Sequence, residues 1–180
     1  MKRILCLLTA ILITLTLGAC GEAPLRQPDD RPRGNQIGDL AYTTPLTVID
    51  RNGYTDRTLD PTATGKITVL NFWAYWCPPC VGELPHFEQV AKAYADEVAV
   101  IAIHCDAVTE AQSFIAENYP DSAILFAMDK DHDPFLYYSV LGGNGSIPYT
   151  VVLDADGIIR RTFVGAISYD TLVSAIQDCR

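Results

Sequence analysis

The hydrophobic and polar positions of this chain change period several times, and each change predicts a new element of secondary structure. Residues 67–73 are mostly β-branched and aromatic, which is typical of a buried strand. In residues 78–95 the apolar side chains of Leu84, Phe87 and Val90 recur at helical spacing, which predicts an amphipathic helix. Further elements follow: strands over 98–104, 123–128, 149–154 and 158–164, and helices over 110–118, 134–140 and 169–178.

This order of elements predicts an α/β domain built around a central mixed sheet. Strands joined by a helix run parallel, because the crossover returns the chain to the same end of the sheet. The last two strands are joined only by the turn at 155–157, so they form an antiparallel hairpin. Another hairpin precedes the βα units, since strands over 46–50 and 57–59 flank the turn at 51–53. We therefore expect a mixed sheet that is flanked by helices and has an N-terminal hairpin at one edge.

The first residues have the pattern of an export signal. Lys2 and Arg3 precede an apolar run over 4–17 that is too short to span a bilayer as a stable helix. The sequence Leu17-Gly18-Ala19-Cys20 then resembles a bacterial lipobox, in which the cysteine is lipidated and becomes the mature N-terminus. An ordinary signal peptide cleaved near Ala19 is the alternative. Both interpretations predict a signal peptide over 1–19 and a protein that works outside the cytoplasm.

Composition divides the remaining chain into a tether and one domain. Residues 20–38 are rich in proline and poor in hydrophobic side chains, which predicts an extended tether behind the lipidated Cys20. Residues 39–180 have the length of a single domain. The chain has 13 Lys and Arg residues against 22 Asp and Glu residues, a formal net charge of −9. This excess of negative charge argues against nucleic acid as a partner.

Two cysteines, Cys77 and Cys80, stand between the buried strand and the amphipathic helix. At this spacing they can cycle between dithiol and disulfide. A cysteine in the first helical turn faces unpaired backbone N–H groups, which favour a thiolate, so we assign Cys77 as the nucleophile and the more shielded Cys80 as the resolving thiol. A structural disulfide or half of a zinc site would have the same spacing. The strand before the motif, the helix after it and the lack of a second CxxC or CxxH favour redox chemistry.

The glycine-rich loop at 142–146 precedes a strand and does not open a helix, so it lacks the arrangement of a nucleotide site. We expect this loop to bring Ile147 and Pro148 beside the dithiol.

Three motifs then resemble the TlpA and ResA group of thioredoxin-like proteins: Asn71-Phe72-Trp73-Ala74-Tyr75-Trp76-Cys77-Pro78-Pro79-Cys80, Ser146-Ile147-Pro148-Tyr149-Thr150 and Asp154-Ala155-Asp156-Gly157.

The resemblance covers roughly residues 38–178 and implies a thioredoxin-like fold with a βα insertion before a cis-proline loop. It implies that Pro148 is cis and that the Ile147 backbone, together with Trp76, receives a substrate. It also implies that Glu83 moves protons to or from Cys80, since an acidic residue occupies this position in the ResA branch. The alternative for Glu83 is a solvated side chain on the helix surface.

The resemblance further implies a thiol-disulfide oxidoreductase that needs no cofactor and no metal. Members of this branch are usually membrane-anchored reductants on the periplasmic side or the cell surface. They are fed by a membrane thiol transporter of the CcdA or DsbD type. Their substrates are exported cysteine-containing proteins, for example in cytochrome c maturation. A disulfide-forming oxidase of the same fold is the alternative, because a CxxC motif alone does not fix the redox potential.

Two rival functions are weaker. A copper-carrying thioredoxin-like module would use both cysteines and one of His86, His104 and His132, but such modules separate their cysteines by three residues and not by two. A thiol peroxidase would need a threonine three residues before its reactive cysteine, and Ala74 stands there.

Two further cysteines, Cys105 and Cys179, could form a disulfide with each other if only their number is considered. The topology places Cys105 at the active-site end of the sheet and Cys179 near the opposite end, because the last helix runs away from that site. Ten helical residues cover roughly 15 Å, whereas disulfide Cα atoms must lie within roughly 7 Å. We therefore predict that no bridge joins these two cysteines.

Overall fold

The computed structural model describes residues 31–131 and 134–180 of the chain. The predicted signal peptide over 1–19, the lipidation site Cys20 and His132 lie outside these residues. The structure begins before the predicted domain boundary at residue 39: Arg33 Nη1 donates to the Ala41 carbonyl at 2.8 Å. In addition, Gly38 N–H donates to the Ile159 carbonyl at 2.8 Å. Residues 33–38, assigned to the tether from composition, are thus bound to the folded domain by hydrogen bonds that the composition does not reveal.

A seven-stranded mixed sheet forms the centre of the domain, and a separate pair of short strands precedes it. The described strands are β1 (Arg33–Gly34), β2 (Leu40–Ala41), β3 (Leu46–Asp50), β4 (Gly53–Leu59), β5 (Ile67–Trp73), β6 (Val98–His104), β7 (Leu125–Met128), β8 (Tyr149–Leu153) and β9 (Ile159–Val164). The short pair is β1 and β2, and the order in the large sheet is β4-β3-β7-β6-β5-β8-β9. β5, β6 and β7 run parallel, whereas β8 is antiparallel to β5 and β9 is antiparallel to β8.

Helices cover both faces of this sheet. The helices are α1 (Pro78–Ala93), α2 (Val108–Asn118), α3 (Pro134–Val140) and α4 (Tyr169–Gln177). Successive side chains of β5 point to opposite faces of the sheet, so two hydrophobic cores form. Val69 packs with α1, α2 and α4, whereas Phe72 packs with α3 on the other face. Every residue of β5 is buried, as expected for a parallel strand with helices on both sides. This is the mixed α/β architecture that the sequence predicts.

The N-terminal hairpin forms where the sequence places it, but its second strand is longer. β4 spans Gly53–Leu59 and pairs antiparallel with β3, whereas the sequence predicted a strand only over 57–59. β4 is an edge strand with mostly exposed polar side chains, so its pairing depends on the backbone and leaves little hydrophobic pattern. Within the described part of the chain, no helix combines the length and the apolar composition needed to cross a bilayer.

Candidate active site

The two cysteines of the CxxC motif form a disulfide at the start of α1. Cys77 is the N-cap of this helix, and its Sγ is bonded to Cys80 Sγ, with 5.3 Å between the two Cα atoms. The Cys80 backbone N–H points at Cys77 Sγ at 3.3 Å. Pro78 and Pro79 occupy the first two helical positions, where a missing N–H leaves no intrahelical bond unmade. Cys77 is 4% exposed and Cys80 is fully buried, so an incoming sulfur reaches Cys77 first.

The loop before β8 lies directly against Cys77. The peptide bond between Ile147 and Pro148 is cis. Cys77 Sγ lies 3.8 Å from the Ile147 carbonyl oxygen. The Tyr138 hydroxyl holds the loop by donating to the Ser146 carbonyl at 2.8 Å. The glycine-rich segment therefore delivers the Ile147 backbone to the more accessible sulfur of the disulfide.

Glu83 is buried in the interior and does not lie on the helix surface. Its side chain is 2% exposed, and its two carboxylate oxygens have different donors. Asn71 Nδ2 donates to Oε1 at 2.7 Å, and the Ile167 backbone N–H donates to Oε2 at 2.9 Å. Asn71 also donates to Thr150 Oγ1 at 3.2 Å, so the network joins α1 to β5 and β8. Within the described residues, Asn71 Oδ1 has no hydrogen-bond partner.

Burial and hydrogen bonding act on the Glu83 carboxyl in opposite directions. Loss of solvation disfavours the charged form and raises the pKa, whereas the hydrogen bonds from Ile167 and Asn71 lower it. Burial is the larger effect, and the pKa of Glu83 is raised to about 7. A carboxyl with this pKa can both accept and release a proton near neutral pH.

The rim of the site is formed by aromatic side chains and by the loop that follows β6. Trp76 is 52% exposed, and its indole Nε1 donates to Asp106 Oδ2 at 2.6 Å. This bond and the Ala107 backbone N–H lower the pKa of Asp106, which keeps its carboxylate ionised. His104 lies buried behind this rim, with its ring 4.8 Å from that of Trp73.

The family model described as AhpC/TSA matches residues 37–162, which is more than half of the chain. The chain belongs to the AhpC/TSA family. The matched span contains the Cys77–Cys80 disulfide, the buried Glu83 and the Ile147–Pro148 loop. Within this AhpC/TSA chain, Ala74 is fully buried three residues before Cys77, at the position where a peroxidase would need a threonine.

Curated relatives and a solved structure show which individual proteins the chain is similar to. It is 35% identical over 112 residues to the thioredoxin-like protein YneN of Bacillus subtilis, which covers 59% of this chain and 61% of that protein. It is 30% identical over 114 residues to a thiol-disulfide oxidoreductase ResA of Bacillus cereus, covering 63% of each. The chain thus matches less than two thirds of the length of these relatives. The structure of MTB dsbF, in its mixed oxidized and reduced forms, is similar with a TM-score of 0.59 and 26% identity, covering 78% of this chain and 96% of that one.

These likenesses confirm the predicted resemblance to the ResA group and the thioredoxin-like fold. The insertion before the cis-proline loop is also present, since β7 and α3 precede Pro148.

The other two described cysteines of this AhpC/TSA chain, Cys105 and Cys179, lie toward opposite ends of the sheet. Cys105 and Cys179 are both free, as the topology predicts. Burial raises the pKa of the Cys105 thiol to about 12, so this sulfur is not a thiolate at neutral pH. The segment that follows α4 is bound to the opposite end of the sheet, because Arg180 forms an ion pair with Glu97 at 2.9 Å, just before β6 begins.

The two described histidines of the copper hypothesis, His86 and His104, do not lie together at the dithiol. His86 Nδ1 lies 3.3 Å from the Ile167 carbonyl on the α4 side of α1, and His104 is enclosed behind Trp73. Within residues 31–131 and 134–180, no group of three or more His, Cys, Asp or Glu side chains is arranged to hold a metal ion.

Sequence reasoning missed three groups of this site: Thr150, the Ile167 backbone and Asp106. Thr150 and Ile167 touch the Asn71–Glu83 pair from distant parts of the chain, and no local motif signals such a contact. The place of Asp106, in contrast, could have been predicted from the sequence. It follows the carboxyl end of β6, and adjacent parallel strands end at the same edge of the sheet, so Asp106 had to lie near the residues that follow β5.

Proposed function

We propose that this chain is an extracytoplasmic, membrane-anchored thiol-disulfide oxidoreductase that reduces disulfides in exported proteins. The observation that supports it best is the placement of Cys77 Sγ, bonded to Cys80 at the start of α1 and 3.8 Å from the Ile147 carbonyl. A relative, ResA of Bacillus cereus, is named as a thiol-disulfide oxidoreductase. Exported cysteine-containing proteins, such as those of cytochrome c maturation, are the proposed substrates.

The reaction begins with the dithiol form. The Cys77 thiolate attacks one sulfur of a substrate disulfide, and the other substrate sulfur leaves as a thiolate. A mixed disulfide now joins Cys77 to the substrate. The Cys80 thiol loses its proton and attacks Cys77 Sγ, which releases the second substrate thiolate. The substrate gains two electrons, and the enzyme ends as the Cys77–Cys80 disulfide with no cofactor involved.

The substrate docks beside Cys77 in the proposed complex. An extended substrate segment pairs with the Ile147 backbone, which precedes Pro148, as a strand pairs with a sheet edge. Trp76 offers a half-exposed aromatic face next to the same sulfur. Backbone pairing does not depend on the substrate's side chains, so it suits an enzyme that must accept different cysteine-containing proteins.

Glu83 is the proposed proton acceptor for Cys80. It follows Cys80 by three residues on α1, so the two side chains lie on the same face of the helix. Both are buried, so bulk water is a poor proton acceptor for the Cys80 thiol. The raised pKa of Glu83, about 7, makes its carboxylate a base of suitable strength at neutral pH.

Anchoring and electron supply are inferred from the sequence. Lipidation of Cys20 would hold the domain at a membrane surface, on the periplasmic side or the cell surface. Each turnover leaves a disulfide that must be reduced again, and a membrane thiol transporter of the CcdA or DsbD type is the proposed donor. Incorporation of labelled fatty acid into the full chain, and its loss in Cys20→Ala, tests the anchor.

Equilibration of the purified protein with glutathione tests the direction of electron flow. A reductase requires a potential near or below that of thioredoxin, about −270 mV. A potential near that of DsbA, about −120 mV, would instead support the disulfide-forming oxidase. Insulin reduction by the dithiol form provides the matching activity assay, and Cys77→Ser should abolish it.

A further inference from the structure

The imidazole of His104 joins two loops that meet beside the dithiol. His104 is the last residue of β6 and lies opposite Trp73 in the parallel register. Its Nε2 atom is 3.3 Å from the backbone nitrogen of Tyr75, two residues before Cys77. Its Nδ1 atom is 3.2 Å from the carbonyl oxygen of Asp106 and 3.3 Å from the backbone nitrogen of the same residue. The ring therefore bridges the loop that contains Cys77 and the loop that follows β6.

These partners assign the protonation state of the ring. The Tyr75 N–H can only donate, so Nε2 is the acceptor nitrogen. In a neutral imidazole the proton then resides on Nδ1, which donates to the Asp106 carbonyl. Burial lowers the pKa of His104, while the hydrogen bond to Asp106 and the negative charges of Asp106 and Glu110 oppose this effect. The neutral ring with its proton on Nδ1 satisfies the Tyr75 N–H and the Asp106 carbonyl, whereas the Asp106 N–H, 3.3 Å from the same nitrogen, gains no acceptor there.

A second contact joins the same two loops. Trp76, the residue immediately before Cys77, donates its indole N–H to Asp106 Oδ2 at 2.6 Å. Because about half of the Trp76 side chain is exposed, this bond and not burial holds the indole in place. Tyr75 is thus bound through its backbone to His104 at the end of β6, and Trp76 is bound through its side chain to Asp106 in the loop that follows.

We propose that His104 is a positioning residue that fixes the Tyr75 backbone and thereby the direction from which Cys77 meets an incoming disulfide. This inference rests on the proposed oxidoreductase function. Within the described residues, His104 forms no hydrogen bond with either sulfur, and it takes no part in the proposed proton transfers. Its effect is geometric, because exchange requires three sulfurs in line and small displacements of a nucleophile slow a reaction strongly.

Two substitutions separate hydrogen bonding from packing. His104→Phe keeps an aromatic ring against Trp73 and loses both hydrogen bonds, whereas His104→Gln keeps one donor and one acceptor. We expect His104→Phe to reduce insulin about fivefold more slowly, the equivalent of losing the one hydrogen bond that positions Tyr75. His104→Gln should recover most of the rate. His86→Gln, which alters the other described histidine, should keep the wild-type rate.

A spectroscopic measurement tests the contact without catalysis. In the oxidised wild-type protein, acidification protonates Nε2, which then faces the Tyr75 N–H donor to donor, so the Tyr75 amide resonance should shift together with the His104 ring signals. In His104→Gln this shift should disappear. The inference would be overturned if the Tyr75 amide resonance did not shift while His104 titrates. A folded His104→Phe variant that reduces insulin at the wild-type rate would overturn it as well.

The two proposals fail in different ways. Wild-type protein that does not reduce insulin would refute the oxidoreductase function, and with it the positioning role, even if the Tyr75 resonance shifts. Active wild-type protein with an unchanged Tyr75 resonance would refute the positioning role alone. If His104→Phe does not fold, the wild-type titration and His104→Gln still decide the question.

Discussion

Asn71 donates a hydrogen bond of 2.7 Å to the Glu83 carboxylate, across the interface between β5 and α1. An asparagine side chain cannot take a proton. Its amide can rotate, however, so that it donates to the ionised carboxylate or accepts from the protonated acid. The free Oδ1 lone pairs of Asn71 and the hydroxyl of Thr150 are compatible with both arrangements. In the proposed mechanism the proton is held by Glu83, and Asn71 can pair with either state of that carboxyl.

Replacing Glu83 with glutamine should slow the resolution of the mixed disulfide by Cys80. The wild-type rate of this step should rise with pH through about 7, as the Glu83 carboxylate becomes available as a base. In Glu83→Gln that inflection should disappear, and at pH 8 the step should slow by about 10²-fold. Stopped-flow measurement with a fluorescent mixed disulfide on Cys77 follows this step directly.

A matched control for this prediction is Glu117→Gln, which neutralises an exposed carboxylate on α2 and should leave the pH profile unchanged. An inflection near pH 7 that persists in Glu83→Gln would show that another group accepts the proton.

The same carboxyl should also make stability depend on pH. The pKa of Glu83 is raised from 4.5 to about 7 in the folded protein, so the native state binds the proton more tightly than the unfolded chain. Its contribution is fully present below pH 4.5 and is lost as the pH rises through about 7, a change of about 3 kcal/mol. Urea unfolding of the oxidised protein at pH 4.5 and pH 8 measures it. Glu83→Gln should become more stable relative to wild type by about this amount between the two pH values, and an equal difference at both would contradict the raised pKa.

The unequal burial of the two sulfurs predicts different outcomes for the two serine variants. Cys77 is the more accessible sulfur, so Cys80→Ser should accumulate a stable mixed disulfide with glutathione or with a substrate. Cys77→Ser should form almost none, because Cys80 is fully enclosed. Mass spectrometry of the native, non-reduced proteins counts the adducts. A greater yield from Cys77→Ser would reverse the assignment of nucleophile and resolving thiol.

Some of this site follows from local pattern. The burial of Glu83 is an example, since it lies three residues after Cys80 and four before Phe87, on the buried stripe of α1. A carboxylate on such a stripe must have internal partners. The spacing is therefore consistent with burial of Glu83, but it does not by itself exclude the solvated position on the helix surface, and it does not name the partners.

Other parts depend on tertiary register and leave no local signal. The contact of His104 with Tyr75 arises in part because the register of β5 and β6 aligns Trp73 with His104. The course of the chain after Trp73 then brings the Tyr75 amide to the His104 ring. The full strand Gly53–Leu59 is also not predictable from the sequence, because most of its side chains are polar and its stability comes from backbone pairing at the sheet edge.

Asp154 should matter for stability and not for redox chemistry. It is buried just after β8, and β8 runs antiparallel to β5, so it lies at the end of the sheet away from the dithiol. Its Oδ1 accepts from the backbone N–H groups of Asp156 at 2.9 Å and Ile158 at 3.0 Å, and its Oδ2 accepts from Arg160 Nε at 2.8 Å. These bonds close the turn between β8 and β9.

Asp154→Ala should therefore lower the free energy of unfolding by about 2–3 kcal/mol, because two backbone donors lose their acceptor. Arg160→Ala removes only the partner of a half-exposed ion pair and should cost at most about 1 kcal/mol. Urea unfolding compares the two variants, and insulin reduction at a temperature where both are folded should match wild type. A loss of activity in folded Asp154→Ala would mean that the β8–β9 turn affects the dithiol through β8, and that stability and catalysis are coupled along this strand.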